Sequence, residues 1–519
     1  MNDDVLKMVG ITKIYPNGIM ANKDVDFSVK AGEIHALMGE NGAGKSTLMN
    51  ILFGEFQPEE GEIYLNGQKI TIASPTEAIG YGIGMVHQHF MLVPSLTVAE
   101  NIFLGMEPKK NGFFDKETAV KRTKELAQKY NFAVNPSAKI ADIPIGIKQK
   151  VEILKALARG AKILILDEPT AVLTPQETDE LFKELKLFKE AGHTIIFISH
   201  KLKEIKQICD RITIMKNGRS IGVYDVSTME ETDISKLMVG RDVVKTIEKA
   251  PAKPKKKALE IRNLNCVNEE GKYMLKDLSL SIRRGEILGV AGVEGNGQLE
   301  LVECITGLRR ITSGTVLING KKANTLSIRK IRACGVSHIP EDRIAMGMAS
   351  DGTIEENLIS DKLNDSAFSV GPFLKSKAIR STTKALIKNF LIKCDSPTQQ
   401  AGMLSGGNMQ KVVVAREFSS GPVVMVANQP SRGVDVGATE FIHKRLVEIR
   451  DNGAATLLVS ADLNEVLELS DNLIVLYGGE IAAYFENTKD VTEDELGFYM
   501  LGLKRQPKEE ITGRVLHER

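Results

Sequence analysis

A long internal repeat constrains this chain more than any other feature. Residues 23–48, KDVDFSVKAGEIHALMGENGAGKSTL, align with residues 276–301, KDLSLSIRRGEILGVAGVEGNGQLEL, at a constant offset of 253. Farther along, GEIYLNGQKI recurs as GTVLINGKKA, GIGMVHQ as CGVSHIP, and LTVAENI as GTIEENL. Self-similarity on this scale means that one architecture is built twice. A length of 519 residues, room for about three or four folding units, accommodates two such copies.

Each copy opens with alternating stretches such as VDFSVKAGEIHAL, which suit strands of a half-exposed sheet. Each then passes to apolar runs like ILILDEP and TIIFISH, which suit buried parallel strands with helices between them. A polar helical stretch, KETAVKRTKELAQKY at 116–130, lies between the two kinds. The expected class is α/β, each half carrying an antiparallel β appendage and a helical insert. The expected boundaries are 1–245 for the first domain, 246–257 for a linker and 258–503 for the second domain. KAPAKPKKK at 249–257 reads as solvated. The remaining stretch, 504–519, reads as a polar tail with little to bury, dispensable for turnover.

Charge narrows the function classes. The chain has 68 Lys plus Arg against 67 Asp plus Glu, so nothing global favours nucleic acid or an anionic membrane. No run of 18 apolar residues occurs, and the start, MNDDVLKMVG, lacks the basic-then-apolar order of a signal peptide. The expectation is a cytoplasmic chain that does not itself span a membrane. Five scattered cysteines with no CxxC pair read as reduced thiols, not as a zinc site or disulfide framework.

The chemistry sits first in GENGAGKS at 39–46, which matches G-x-x-x-x-G-K-[ST] between a strand-like EIHALM and a helix-like TLMNILFG. Its glycines let backbone N–H groups converge on phosphate, Lys45 supplies a compact cation, and the Ser46 hydroxyl can ligate Mg²⁺. In ILILDEPT, Asp167 ends a buried strand and reads as the residue that orients Mg²⁺. Glu168 is then the candidate base for an attacking water. Gln88, His200 and Tyr15 are unremarkable singly.

In this order the motifs resemble those of the ATP-binding cassette (ABC) ATPases, over almost the whole chain twice. The strongest token is LSGGNMQK at 404–411, close to that family's LSGGQ signature. The resemblance implies two tandem cassettes, each a P-loop NTPase core with antiparallel β and helical subdomains. It implies ATP and Mg²⁺ as ligands, held by Gly39, Glu40, Asn41, Gly42, Ala43, Gly44, Lys45, Ser46 and Thr47. By the same resemblance Tyr15 stacks on adenine, Gln88 touches Mg²⁺ and senses the γ phosphate, and His200 contacts the γ phosphate.

The second half has lost this set. Its signature-to-strand and strand-to-strand spacings, 24 and 33 residues, equal those of the first half, which secures the comparison. Lys45 becomes Gln298, Ser46 becomes Leu299, Asp167 becomes Asn428, Glu168 becomes Gln429 and His200 becomes Ala461. Tyr15 falls opposite Asn268, and Gln88 opposite Ile339 in HIPEDR. The signatures run the other way. The first half reads IPIGIKQK, with Pro144 where the serine should be, and proline offers neither hydroxyl nor N–H to a phosphate. The second half keeps Ser405, Gly406 and Gly407, with Asn408 for glutamine, and Asp435 where the first half has Thr174. Family members pair head to tail, each ATP lying between the Walker motifs of one half and the signature of the other. Under that pairing every intact motif meets in one site and every degenerate one in the other, which random decay would not produce.

The resemblance further implies the energising subunit of an importer with both cassettes in one chain. It would lie on the inner face of the cell membrane and work with two integral membrane permeases and an extracytoplasmic substrate-binding protein, without nucleic acid. EGNGQ, HIPEDR and QPSRGVDVGA resemble the fused ATPases of simple-sugar and nucleoside importers. The proline-containing first signature followed by VEILKAL favours nucleosides over ribose or galactose. The alternative of another class is a two-cassette ATPase acting on ribosomes or DNA, which the short linker and disabled second site oppose. A scaffold without turnover is opposed by Glu168 and His200. The residues Glu341, Asp342 and Arg343 have no role that the sequence explains.

Overall fold

The computed structural model describes residues 4–15, 18, 20–40, 42–88, 90–199, 201–230, 233–234, 236–237, 249–268 and 271–517. The chain divides into two units, Met1–Val243 and Val244–Arg519.

In the first unit a six-stranded sheet runs in the order Arg219–Asp225, Arg211–Lys216, Ile34–Gly39, Thr194–Ile198, Ile163–Asp167, Ile83–Val86. Only the pairing of Arg211–Lys216 with Arg219–Asp225 is antiparallel. The three central strands are buried at every position, which is why they read as continuous apolar runs. A second, antiparallel sheet of four strands is built from Met20–Lys30, Asp4–Ile14, Glu60–Leu65 and Gln68–Ile70. It alternates buried and exposed residues as one-sided sheets do. The insert contains the helices Lys116–Lys129 and Ile145–Ala158. The first is polar because only Ala119, Thr123 and Ala127 are buried, a single stripe at i, i+4, i+8.

The second unit repeats the plan, with the sheet order Val336–Ile339, Val424–Asn428, Ala455–Val459, Glu286–Ala291, Asn472–Tyr477, Glu480–Glu486. Its antiparallel sheet comprises Tyr273–Arg283, Lys257–Val267, Ser313–Ile318 and Lys321–Lys322.

Two expectations differ from the structure. The tail contains a helix, Lys508–Val515, whose Ile511 and Val515, with Leu516 just beyond, are buried against the second unit's core. Ser281 Oγ donates to the Val515 carbonyl at 3.1 Å, and Lys508 pairs with Asp277 at 2.9 Å. The segment is therefore part of the second unit's packing, and the ground for treating it as dispensable falls away. KAPAKPKKK is solvated, with no residue buried and six of its nine exposed, and it is also tethered at several points. Lys249 Nζ donates to the Ser470 carbonyl at 2.6 Å, Arg450 donates to the Ala250 carbonyl at 2.9 Å, and Lys255 N bonds Arg284 O at 2.8 Å. Arg450 is fully buried and also ion-paired to Asp471 at 2.8 Å, so it fastens the segment from inside.

The second difference is one of register. Val86 pairs with Leu166 and Ile339 with Ala427, one residue before Asp167 and Asn428 respectively. Val86 and Ile339 are thus equivalent, and Gln88 stands opposite Glu341, not Ile339. Short apolar strands resemble one another at several shifts, whereas ladder pairing admits one.

Candidate functional site

The phosphate loop of the first unit leaves strand Ile34–Gly39 and enters helix Lys45–Leu52 through two left-handed glycines, Gly42 at φ 82° and Gly44 at φ 95°. A Cβ on Gly44 would lie 2.6 Å from Asn22 Nδ2 and run into the Ala21 carbonyl, so no side chain fits there. Buried Asn22 itself donates to the Gly44 carbonyl at 3.1 Å. This anchor was invisible in the sequence, since Asn22 is an isolated polar residue in a strand. Ala43 N bonds the Glu40 carbonyl at 3.0 Å. Lys45 is buried and folds back on the loop, donating to Gly39 O at 2.7 Å and Glu40 O at 3.0 Å. Burial pushes its ammonium pKa down, against the opposing pull of Glu168, Asp167 and Glu40. Thr47 Oγ1 lies 3.0 Å from the Tyr15 hydroxyl, and the Tyr15 ring meets Phe56 edge-on at 5.7 Å. Tyr15 is therefore held beside the first turn of the helix.

Asp167 ends its strand 9% exposed. Burial, and then the charge of Glu168, raise its pKa, while Lys45 and a hydrogen bond from Ser46 pull it down. Such an under-compensated acid, beside a serine hydroxyl and next to an anion-ready loop, suits a divalent cation. Glu168 adopts φ 48°, unusual for a side chain with a Cβ, and its N–H bonds Ile198 O at 3.0 Å. Its carboxylate Oε2 accepts from Gln88 Nε2 at 2.8 Å. The structure thus brings Lys45, Ser46, Gln88, Asp167 and Glu168 together. Asn41 and His200 lie outside the described residues.

A further group escaped the sequence reading. Buried Glu204 accepts from Thr170 at 2.7 Å and from Ser199 at 2.9 Å. It ties the loop after Glu168 to the residue before His200. In sequence it is one more acid on the charged helix Leu202–Ile208, with no spacing to single it out.

In the second unit the loop geometry survives the loss of chemistry. Gly295 and Gly297 keep φ at 88° and 108°, and Gln429 keeps the turn of Glu168 at φ 51°. Gln298 Nε2 donates to Val293 O at 3.0 Å, the position and distance at which Lys45 meets Glu40 O. Asn296 Nδ2 donates to the same carbonyl at 3.0 Å, and its Oδ1 accepts from Gly478 N at 2.7 Å. Gln429 Oε1 accepts from Ala461 N at 3.1 Å, so its amide is engaged with the backbone at the place of the lost histidine. Asn428 is buried, and Leu299 is 43% exposed.

The same unit carries the intact signature. Helix Gly406–Ser419 begins at Ser405, whose hydroxyl makes no cap to its own helix and instead accepts from Asn408 Nδ2 at 2.9 Å. Asn408 Oδ1 in turn accepts from Lys393 N at 2.9 Å. The first-turn N–H groups at Gly406 and Gly407 thus lack a side-chain cap and suit an anion. Asp435 caps helix Val436–Asp451 through Ala438 N at 2.8 Å. A Cβ on Gly407 would lie 2.7 Å from Asp435 Oδ2, which accounts for glycine at the contact between the two loops. In the first unit Pro144 takes the cap position of helix Ile145–Ala158.

Among the described residues no helix is long and apolar enough to cross a membrane. Comparison with known proteins agrees with the duplicated architecture. The profile of the ABC transporter family matches residues 22–171 and again 275–432. The guanosine import ATP-binding protein NupO of Bacillus subtilis is 46% identical over 96% of this chain and 97% of its own. The nucleoside import ATP-binding protein NupA of Lactococcus lactis subsp. cremoris is 45% identical over 96% and 99%. The glucose import ATP-binding protein TsgD13 of Haloferax volcanii is 41% identical over 96% of both. With two profile matches and full-length relatives at these identities, the chain belongs to the ABC transporter family, as a subunit carrying two ATP-binding cassettes.

Proposed function

We propose that this chain is the ATP-hydrolysing subunit of a nucleoside importer, with one competent ATP site and one degenerate site. The observation that carries the ATPase reading is the contact of Gln88 with Glu168 beside the Lys45 loop, a set present in the first unit only. In this reading Glu168 takes a proton from the water that attacks the γ phosphorus, as the bond to the ADP oxygen breaks. Lys45 and the loop N–H groups hold the phosphates, and His200 contacts the γ phosphate. Ser46, Gln88 and Asp167 would hold Mg²⁺, which when bound offsets charge on the phosphate oxygens. Ser405, Gly406, Gly407, Asn408 and Asp435 complete this site from the second cassette in the ATP-loaded state, following the head-to-tail pairing of the family.

Nucleosides are favoured over sugars because the guanosine and nucleoside import relatives exceed the glucose import relative in identity. The chain would act on the inner face of the membrane, with two permeases and an extracytoplasmic binding protein supplying substrate selectivity. Uptake of labelled nucleosides and of labelled ribose and galactose, in cells with and without this gene, tests the assignment. Loss of nucleoside uptake alone is expected. Loss of sugar uptake with nucleoside uptake intact would reject it.

A further inference from the structure

The stretch Glu341-Asp342-Arg343 follows strand Val336–Ile339, in register with Gln88 and the residues after it. In the first unit the segment from Gln88 to Leu96 contains no arginine and no acid, and Gln88 reaches the candidate base. In the second unit the corresponding segment is wired elsewhere. Glu341 forms an ion pair with Arg432. Asp342 Oδ1 accepts from Ile344 N at 2.8 Å and Ala345 N at 2.9 Å, closing the wide turn Arg343–Gly347 and fixing where Arg343 leaves it. Arg343 then donates to the carbonyls of Arg432 at 2.8 Å and Gly433 at 3.3 Å, in the loop that leads to Asp435.

The same guanidinium lies against the signature. A Cβ at Gly406 would stand 2.9 Å from Arg343 Nη2, and one at Gly433 3.3 Å from both terminal nitrogens. The guanidinium thus sits close against the backbone of both glycines, where a side chain would require it to shift. A forked donor with five N–H groups can hold two carbonyls at once, which a lysine cannot do with the same geometry.

We propose that Arg343, supported by Glu341 and Asp342, is a positioning residue that locks the Ser405–Asn408 turn and the Arg432–Asp435 loop into one body. The half that lost its phosphate-sensing glutamine uses the same segment to aim the signature it presents. Movement of the 339–348 segment is thereby transmitted to Ser405 and Asp435 together. The inference rests on the reading that this signature completes the ATP site of the first cassette.

The test uses the purified full chain and the variants Arg343→Met, Arg343→Lys and Ser405→Arg. Nucleotide dissociation constants are read with a fluorescent ATP analogue, turnover by phosphate release, and folding by thermal melting. Arg343→Met should leave the dissociation constant within about threefold, because initial binding uses the Lys45 loop, and lower kcat by about 100-fold, the scale of a misplaced contact. Arg343→Lys should recover only part of the loss. Wild-type kcat in Arg343→Met, with Ser405→Arg inactive, would overturn the positioning role and leave the shared site standing. Unimpaired turnover in Ser405→Arg would reject the shared site itself. Equal losses of kcat, nucleotide affinity and melting temperature in Arg343→Met would show a merely structural arginine and also overturn the proposal.

Discussion

Lys45 and Gln298 occupy one position and donate to one carbonyl, at 3.0 Å in each unit, yet only the lysine brings a charge. The amide therefore keeps the loop closed without the cation, and the left-handed glycines persist because the strand-to-helix turn still requires them. The lost lysine and acids were legible in the sequence, since each is a change of residue type at a fixed spacing. The substitute bonds were not, because whether an amide turns toward ligand or toward its own loop depends on packing. Glu168 is the residue on which turnover should hinge. Its replacement, Glu168→Gln, keeps the shape and removes the base, and Gln429 offers no second base. Steady-state phosphate release should fall by about 100 to 10,000-fold. Residual turnover above a tenth of the parent rate would remove Glu168 from the role assigned to it.

At the scale of elements, the buried strands and their helices were legible because short runs such as ILIL and TIIFI are apolar at every position and the stretches between them have helical periodicity. The helix Lys508–Val515 was hidden by averaging: three apolar residues, Ile511, Val515 and Leu516, form one face within a charged stretch. The equivalence of Gln88 and Glu341 waited on strand pairing for a related reason, the self-similarity of apolar runs. That register also equates His338 with Met85, opposite Val426 and Ile165 on the adjacent strands. Burial lowers the His338 pKa to about 4, with Glu417 opposing and Arg332 and Arg416 assisting. The imidazole is neutral in the folded protein at pH 7, whereas in the unfolded chain it titrates near its ordinary value of about 6.5. Between these values the unfolded chain binds the proton and the folded chain does not. Stability is therefore present above pH 6.5 and lost as pH falls toward 4, by on the order of 3 kcal/mol at the end of the window. His338→Met, the side chain used at this place in the first unit, should match the parent at pH 7.5 and lose less stability on acidification. Scanning calorimetry of both full chains from pH 7.5 to 4.5 checks this. A constant difference in melting temperature across that range would contradict it.

At the scale of the whole molecule, the segregation of motifs carries the argument. Lys45, Ser46, Asp167, Glu168 and His200 fall in the first cassette, while Ser405, Gly406, Gly407 and Asp435 fall in the second. If each cassette used its own signature, the first would pair a working loop with Pro144 and the second a working signature with Gln298 and Leu299. Neither combination gives a complete site. Exchange between cassettes would give one complete site and one empty of chemistry, and selection on a single site would then account for both sets of losses. Two substitutions of the same kind separate these arrangements. Ser405→Arg places a bulky cation where the proposed site must close on the γ phosphate, in a cassette whose own Walker residues are already gone. Pro144→Arg places the same side chain at the equivalent cap of helix Ile145–Ala158, in the cassette that holds every catalytic group. Under exchange, Ser405→Arg should abolish hydrolysis while nucleotide binding to the Lys45 loop persists, and Pro144→Arg should retain most turnover. Under self-contained cassettes the order reverses, because Pro144 would then border the only competent loop. Phosphate release from the two variants, with thermal melting to confirm that each is folded, decides between them; equal damage from both would defeat the exchange.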